Sequence, residues 1–329
     1  MSEKGALLAN GDLPQGLAEE PKGPARSRPP NRFGILGRTL ELFWWLSESD
    51  LPTFVLPNIC FGTFGALSTQ MGGVGPRLPT TGVLFHRLPV VIFFNWYTVL
   101  IFEMGNQRCP ESVAEDTINK PWRPIPSGMV TSLQVRRIML TTVPICLALN
   151  YYLGVWELGA FIHIMHWMYN DLGGGDEACR DLVIAVGDGL YNAASLQLGI
   201  GVETPLGYWG ILWTAMVSVV ILTTMQVQDL KDQGGDIARG RWTMPLVFGE
   251  QVSRCLIAFW VTFWSIGCSY FWHLPWWGYC VPLSLRSAIV ANVLRNRTFK
   301  DDQLTWRMWA IWMCTLYTLP VISRVANGI

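Results

Sequence analysis

The chain has 329 residues, a formal net charge of zero, and a composition that is 50% hydrophobic and only 15% charged. So few charges, together with a mean hydropathy of +0.28, exclude an ordinary soluble domain and indicate a polytopic membrane protein, whose lipid-facing surface needs no charge. The balanced charge also argues against a nucleic-acid partner.

The chain begins with a polar segment over residues 1–33, which is rich in Gly, Pro, Lys, Arg and Glu and has no periodic apolar pattern. This composition predicts a disordered tail. The segment holds no apolar run typical of a signal peptide, so we expect the first membrane span to serve as the membrane signal. Residues from Phe33 to Trp45 predict an amphipathic helix at the membrane interface. We therefore expect a tail followed by one membrane-embedded domain over 34–329.

About nine apolar runs follow, most of them near the length of roughly 20 residues that a helix needs to cross the hydrocarbon core. They cover residues 51–70, 86–105, 130–152, 155–169, 181–201, 208–228, 251–272, 275–293 and 305–325. The sequence thus predicts an all-α fold of about nine transmembrane helices in a lipid bilayer.

The distribution of Lys and Arg supports this count of spans. With nine spans, the basic residues fall in the tail or around the gaps after even-numbered spans, except for Arg77, Arg87, Arg286 and Arg324. The positive-inside rule places that basic side in the cytosol. We expect a multi-pass protein of the endoplasmic reticulum or a related endomembrane.

The gap after the second span is a polar segment, NQRCPESVAEDTINKPWRPIPSG, from Asn106 to Gly128. Its prolines stiffen the chain and would hold Lys120 and Arg123 over a substrate without a large ordering cost. An ordinary Pro-rich connection is the alternative. The side chains with hard oxygen donors fit for Mg²⁺ are Asn106, Glu111, Glu115 and Asp116.

The gap after the sixth span holds a second acidic segment, QDLKDQGGDIARGRW. Its aspartates at 229, 232 and 236 are spaced i, i+3 and i+7, so a continuous helix presents Asp229, Asp232 and Asp236 on one face. Carboxylates on one face repel each other unless a cation neutralises them, and Mg²⁺ binds one or two carboxylates together with phosphate oxygens. Gly234 and Gly235 are expected to loosen the backbone there.

Basic residues in the second segment suit a diphosphate. Lys231, Arg239 and Arg241 would hold its oxygens. The alternative is a solvated loop whose acids are incidental. Because both polar segments follow even-numbered spans, we expect them on the same side of the membrane. They predict one site for Mg²⁺ and a phosphate-bearing substrate.

The motifs DTINKPWRPIPSG and DLKDQGGDIARGRWTMPLVFG resemble the two signature regions of the UbiA superfamily of membrane-embedded prenyltransferases. The resemblance extends from about Leu51 onward. It implies helices bundled around a central cavity and Mg²⁺ ions that bridge an isoprenyl diphosphate, which ionises to an allylic carbocation. The matching positions of the first region are Asp116, Asn119, Lys120, Pro121, Arg123, Pro124 and Gly128. Those of the second are Asp229, Asp232, Asp236, Gly240 and Pro245. The resemblance implies catalytic roles for Asp116, Asp229 and Asp232.

The first motif departs from the family at Ser112, which stands four residues before Asp116 where a carboxylate is expected. Glu111 or Glu115 is expected to replace that carboxylate. This altered motif, together with NDLGGGDE at 170–177, is more similar to the fungal branch with membrane-bound terpene cyclases than to the quinone-pathway enzymes. Asp176 and its neighbours are expected to add contacts around the diphosphate or to close over it.

Two outcomes of the ionisation remain open. A cyclase, with farnesyl diphosphate as the expected substrate, folds one chain and stabilises its cations with aromatic faces. An aromatic prenyltransferase also admits a phenolic or quinonoid acceptor. A transporter is a more distant alternative, because it needs no paired charged segments and the chain shows no obvious inverted repeats.

Aromatic and histidine side chains in the spans are candidates for the pocket itself. His163 and His166, three residues apart, are a candidate pair of proton acceptors, although such residues more often bond to a neighbouring helix. The aromatic candidates are Trp96, Tyr97, Trp167, Tyr169, Tyr191, Trp209 and Trp213.

Overall fold

The computed structural model describes residues 34–68, 71–72 and 81–327, and the predicted tail over 1–33 lies outside the described residues. Within the described part the regular structure is helical, apart from an isolated antiparallel bridge between Gly72 and Leu206. The predicted all-α fold class is therefore confirmed.

The helices are of two kinds: some are long and apolar, and others are short and lie at the ends of the long ones. The first six are α1 (Ile35–Ser47), α2 (Leu56–Leu67), α3 (Thr81–Gln107), α4 (Pro110–Asn119), α5 (Ser132–Tyr152) and α6 (Trp156–Asn170). The remainder are α7 (Arg180–Ile200), α8 (Tyr208–Thr224), α9 (Asp229–Arg239), α10 (Met244–Phe248), α11 (Glu250–Phe271), α12 (Cys280–Arg295) and α13 (Phe299–Asn327). A π-helical turn over Leu51–Val55 precedes α2, and a 3₁₀ turn over Met225–Gln228 joins α8 to α9.

Five helical stretches among the described residues are long and apolar enough to cross a membrane by themselves. They are Gly82–Gln107, Ser132–Tyr152, Tyr208–Arg239, Glu250–Phe271 and Phe299–Asn327. Leu51–Leu67 is a shorter apolar helix. Each predicted span coincides with a helix of the described chain, but nine membrane crossings remain a prediction.

Helix α7 lies at the centre of the bundle, where it packs against α2, α3, α6 and α8. Small residues permit the close contact with α2: a Cβ atom added at Gly62 would lie 2.5 Å from the backbone oxygen of Ser195. The Asn95 side chain of α3 donates a hydrogen bond to the Ser195 hydroxyl at 2.8 Å. The buried apolar residues form two clusters, and α7 contributes to both. This helix therefore joins the two halves of the core.

Candidate active site

The first polar segment contains a helix, α4, in place of a simple connection. Pro110 starts it, where its missing N–H leaves no hydrogen bond unmade, and the helix ends just before Pro121. The Asn119 side chain donates a hydrogen bond to the backbone oxygen of Asp232 in α9 at 3.4 Å. The face turned toward the protein interior carries Ser112, Glu115, Asp116 and Asn119.

Gly235 allows α4 and α9 to approach closely. A Cβ atom added there would lie 2.2 Å from the Asn119 amide nitrogen and 2.8 Å from the Glu115 Cγ atom. The same atom added at Gly234 would meet no atom of the described residues within 4 Å. Because α9 runs through both glycines without a break, the prediction that they loosen the backbone is wrong. Glycine at 235 instead provides room for the first polar segment.

Arg239 joins three segments of the chain. Its guanidinium donates a hydrogen bond to the Ser112 hydroxyl at 2.6 Å and another to Glu115 Oε2 at 3.1 Å. It also forms an ion pair with Asp176, in the glycine-rich loop between α6 and α7. Ser112 thus faces a guanidinium, and Glu115 is the carboxylate that α4 presents beside it.

Arg241, just beyond α9, also connects α4, α9 and the glycine-rich loop. It lies 3.0 Å from Glu115, 2.9 Å from Asp236 and 3.4 Å from Asp176. The second oxygen of Asp236, Oδ2, is buried and has no hydrogen-bond partner among the described residues. The two polar segments and the glycine-rich loop between α6 and α7 therefore meet in one network. Their predicted position on the same side of the membrane is consistent with this contact.

Arg123 forms a second network, in which it is only 5% exposed. It lies 3.0 Å from Asp116, 3.1 Å from Glu103 and 3.4 Å from Asp50. Burial raises the pKa of the Asp116 carboxyl, although Arg123 and Lys120 oppose that change. Burial would also raise the pKa of Asp50, but Lys120 and Arg123, together with hydrogen bonds with Glu103 and Ser49, outweigh it and hold that pKa below its ordinary value.

Arg180 and Asp229 form a third contact, between the first turns of α7 and α9. Arg180 Nη1 lies 3.1 Å from Asp229 Oδ2 and its Nη2 lies 2.9 Å from Asp229 Oδ1. Lys231 pairs with Asp232, and its ammonium lies 4.4 Å from the centroid of the Trp306 ring. The acids of α9 are therefore each held by a basic side chain.

These networks border one cavity. One part of its lining is charged, and another part is apolar and aromatic. The charged residues are Asp50, Glu103, Glu115, Lys120, Arg123, Arg180, Asp188, Asp232 and Arg241. The apolar and aromatic ones are Phe54, Pro57, Phe102, Tyr169, Ile184, Ile221, Met225, Trp306, Trp309, Met313 and Tyr317.

A side chamber adjoins the cavity, and five residues line both. The shared residues are Phe54, Phe102, Tyr169, Ile184 and Asp188. The side chamber alone is lined by Met165, His166, Val183, Gly187 and Tyr191. Together the two spaces provide an apolar volume next to a charged one.

Most of the predicted site residues lie in or beside the cavity. Those that line it are Asn106, Glu115, Lys120, Arg123, Asp232 and Arg241. Those that pair with a lining residue are Asp116, Asp229, Lys231, Asp236 and Arg239. Glu111 is exposed, and the structure places it outside the site. It precedes Ser112 by one residue, about 100° of helix turn, which moves it to the edge of the inward face.

Only two of the seven aromatic candidates line the chambers. Tyr169 and Tyr191 line the two chambers, as expected. Trp213 is buried in the core, where it stacks on Phe271. Trp167 and Trp209 are largely exposed, while Trp96 and Tyr97 bond to Ser47 and Asn150.

The sequence indicates four charged residues of the site only weakly. Arg180 begins a span, so the sequence indicates only its contribution to topology. Asp50 precedes the first span, and Glu103 and Asp188 lie inside spans without an assignable partner. Buried charge in an apolar segment is the available signal, because such a residue is costly unless it is paired or faces a cavity.

The residues fit Mg²⁺ by donor type. Glu115, Asp232 and Asp236 offer hard carboxylate oxygens, and one buried oxygen of Asp236 has no partner in the part of the chain that the structure describes. Within the described part of the chain no three acidic, His or Cys side chains stand close enough together to hold a metal. The acids are instead drawn to the basic side chains. A bound cation therefore requires some of these ion pairs to open.

Comparison with known proteins identifies relatives over most of the chain. Residues 109–313 match the UbiA prenyltransferase family. The chain is 28% identical to the somaliensene A/B synthase of Streptomyces somaliensis, covering 88% of this chain and 93% of that protein. It is 25% identical to the fumagillin beta-trans-bergamotene synthase af520 of Aspergillus fumigatus, with the same two coverages of 88% and 93%. It is 31% identical to the polyprenyl transferase eriF of Hericium erinaceus, covering 69% and 75%.

A solved structure shares the fold. It is a UbiA homolog from Archaeoglobus fulgidus, determined bound to GPP and Mg²⁺. The TM-score is 0.53 at 11% identity, and the match covers 85% of this chain and 99% of that one. At this identity the likeness concerns the fold alone.

Proposed function

Because the chain belongs to the UbiA prenyltransferase family, we propose that it is a membrane-bound terpene cyclase of secondary metabolism. It ionises an isoprenyl diphosphate, with farnesyl diphosphate as the substrate, and closes the resulting carbocation to a terpene. Mg²⁺ is its cofactor. The site faces the cytosol from the endoplasmic reticulum or a related endomembrane.

The observation that carries this proposal is the junction of a charged region and an aromatic region in one cavity. Lys120, Arg123, Arg180 and Arg241 line the charged region. The three arginines already lie within ion-pair distance of Asp116, Asp229 and Asp236. A diphosphate offers these cations an alternative anion of higher charge. The isoprenyl chain is apolar, so its place is the aromatic region.

Binding in this arrangement exchanges partners. The guanidinium and ammonium groups leave their carboxylates for the diphosphate oxygens, which frees Glu115, Asp232 and Asp236 to hold a divalent cation, with Asn106 and Asp229 beside them. Mg²⁺, when bound, neutralises the charge that develops on the leaving diphosphate. Arg123 and Arg180, both nearly fully buried, orient the leaving group and keep water from it.

The aromatic part of the cavity supports cyclisation. Phe54, Phe102 and Tyr169 line both chambers, so a chain folded between them has ring faces against its cationic carbons. Two of the relatives reported above bear the names of terpene synthases, and they align with 88% of the chain. These observations favour the cyclase over the other candidates.

An aromatic prenyltransferase is the second candidate. The relative named polyprenyl transferase eriF has the higher identity, at 31%, and the side chamber is a second apolar space beside the main cavity. Purified membranes incubated with farnesyl diphosphate and Mg²⁺, without an acceptor, distinguish the two. We expect a hydrocarbon product. Turnover that begins only when a phenol is supplied would contradict the cyclase proposal.

A further inference from the structure

Asp188 is a carboxylate at the junction of the main cavity and the side chamber. It lies on α7, eight residues after Arg180, and is therefore about 12 Å further along the helix axis. It lines both the main cavity and the side chamber. A diphosphate at Arg180 would place Asp188 beside the middle or far end of a bound isoprenyl chain, away from the carbon that ionises.

The described residues around Asp188 include polar groups, but none of them is a cation paired with it. Its carboxylate interacts with the Asn58 side chain of α2, and the rings of Tyr191 and Tyr317 lie within electrostatic reach. Every acid of α9 has an Arg or Lys partner, whereas no salt bridge to Asp188 exists within the described residues. An unpaired carboxylate inside an apolar helix is costly, which indicates a functional role.

The histidines are less suited to accept a proton from a bound chain. His166 lines the side chamber, but its Nε2 is 3.0 Å from the Tyr191 hydroxyl, and its Nδ1 is buried without a partner in the described chain. The His163 Nδ1 atom bonds to the backbone oxygen of Gly159 at 2.8 Å, and His163 is not among the residues that line the described chambers. The carboxylate oxygens of Asp188 are therefore more accessible to a bound chain than the ring nitrogens of the two histidines.

We propose that Asp188 is the catalytic base that ends the cyclisation, an inference that rests on the proposed function. A C–H bond next to the cationic carbon breaks, its electron pair forms the C=C bond of the product, and the proton moves to an Asp188 carboxylate oxygen. The proton then passes to water or to the departing diphosphate when the products leave. The overall reaction converts the isoprenyl diphosphate to a hydrocarbon and protonated diphosphate, without an oxidant or a co-reactant.

The test compares Asp188→Asn with the wild type in detergent micelles, with farnesyl diphosphate and Mg²⁺ and no acceptor. Two products are measured: diphosphate, and terpene by gas chromatography. We expect the hydrocarbon to fall roughly 100-fold or more while diphosphate release stays within about threefold, because a general base acts after ionisation. Water then captures the cation, so terpene alcohols replace the hydrocarbon. A wild-type mixture from Asp188→Asn, or an equal loss of diphosphate release, overturns the proposal.

Two further variants guard against a purely structural effect. Asp188→Glu keeps the base and displaces it by one methylene, so it should retain hydrocarbon formation with an altered ratio of isomers; alcohols alone from this variant would contradict the proposal. Glu157→Gln removes an exposed acid from α6 and should leave rate and products unchanged. If the wild type itself releases no diphosphate without a phenol, the proposed cyclase function fails, and this outcome is distinct from a failure at Asp188.

Discussion

Arg180 and Asp229 meet through two hydrogen bonds, 2.9 and 3.1 Å long, that tie the first turn of α7 to the first turn of α9. Both side chains are at least 95% buried. A buried ion pair of this kind is strongly coupled, because the removal of one partner leaves the other charge unsatisfied. The pair links the central helix of the bundle to the second polar segment.

Asp229→Ala should therefore abolish turnover and lower the free energy of unfolding by about 3–5 kcal/mol. The double variant that also carries Arg180→Ala should recover part of the stability without recovering activity, since both groups are needed at the diphosphate. Thermal unfolding in detergent and diphosphate release measure the two effects. Near-normal turnover in Asp229→Ala would contradict its place in the site.

Glu115→Gln and Glu111→Gln form a matched pair on α4. Glu115 contacts Arg239 and Arg241, whereas Glu111 is exposed. We expect Glu115→Gln to reduce turnover by at least tenfold, about 1.4 kcal/mol of transition-state stabilisation, and Glu111→Gln to act like the wild type. The reverse order of activities would assign the missing carboxylate of the first motif to Glu111.

Gly235→Ala and Gly234→Ala test the contact between α4 and α9. The new methyl group at 235 would overlap the Asn119 amide, while the one at 234 meets open space. Gly235→Ala should cost about 1–3 kcal/mol of stability and displace Glu115. Gly234→Ala should be neutral or stabilising by up to about 1 kcal/mol, because alanine favours a helix more than glycine does. Equal effects of the two substitutions would refute the close-packing argument.

Mg²⁺ and diphosphate should stabilise the protein more together than separately. Each alone must open ion pairs and leaves one set of charges without partners, whereas together they replace both sets. We expect a melting-temperature shift with both ligands that exceeds the sum of the separate shifts. Removal of the metal with a chelator should abolish the excess and the turnover. Simple additivity would count against the exchange of partners.

The side of the membrane that carries the site can be tested by labelling. Cys179 is exposed in the loop before α7, and Glu203 is exposed in the loop after it. In sealed microsomes, with the exposed Cys255 and Cys280 changed to Ser, a membrane-impermeant maleimide should label Cys179 from outside. In a background that also lacks Cys179, Glu203→Cys should be labelled only after detergent is added. Labelling of both before detergent would contradict the topology.

Periodicity and charge patterning were sufficient to predict the helical class and the meeting of the polar segments. They were sufficient because an apolar helix of membrane length determines on which side each gap lies. The choice between Glu111 and Glu115 required the rotational position of α4, which a segment expected as a simple connection does not provide. The place of Arg180 in the site could not be predicted for a similar reason. Its partner Asp229 is 49 residues away, and only the folded bundle brings the two together.

The mutual neutralisation of acids and bases has a consequence for selectivity in the cell. Cytosol contains abundant mononucleotides, inorganic phosphate and carboxylate metabolites, any of which an open cluster of arginines would attract. Here Arg123, Arg239 and Arg241 are already occupied by carboxylates. An anion that arrives without a metal must displace them and leave those carboxylates stranded, at a cost of several kcal/mol. Under the proposed function, the resting charge network would therefore exclude common cellular anions and admit a diphosphate that arrives with its cation.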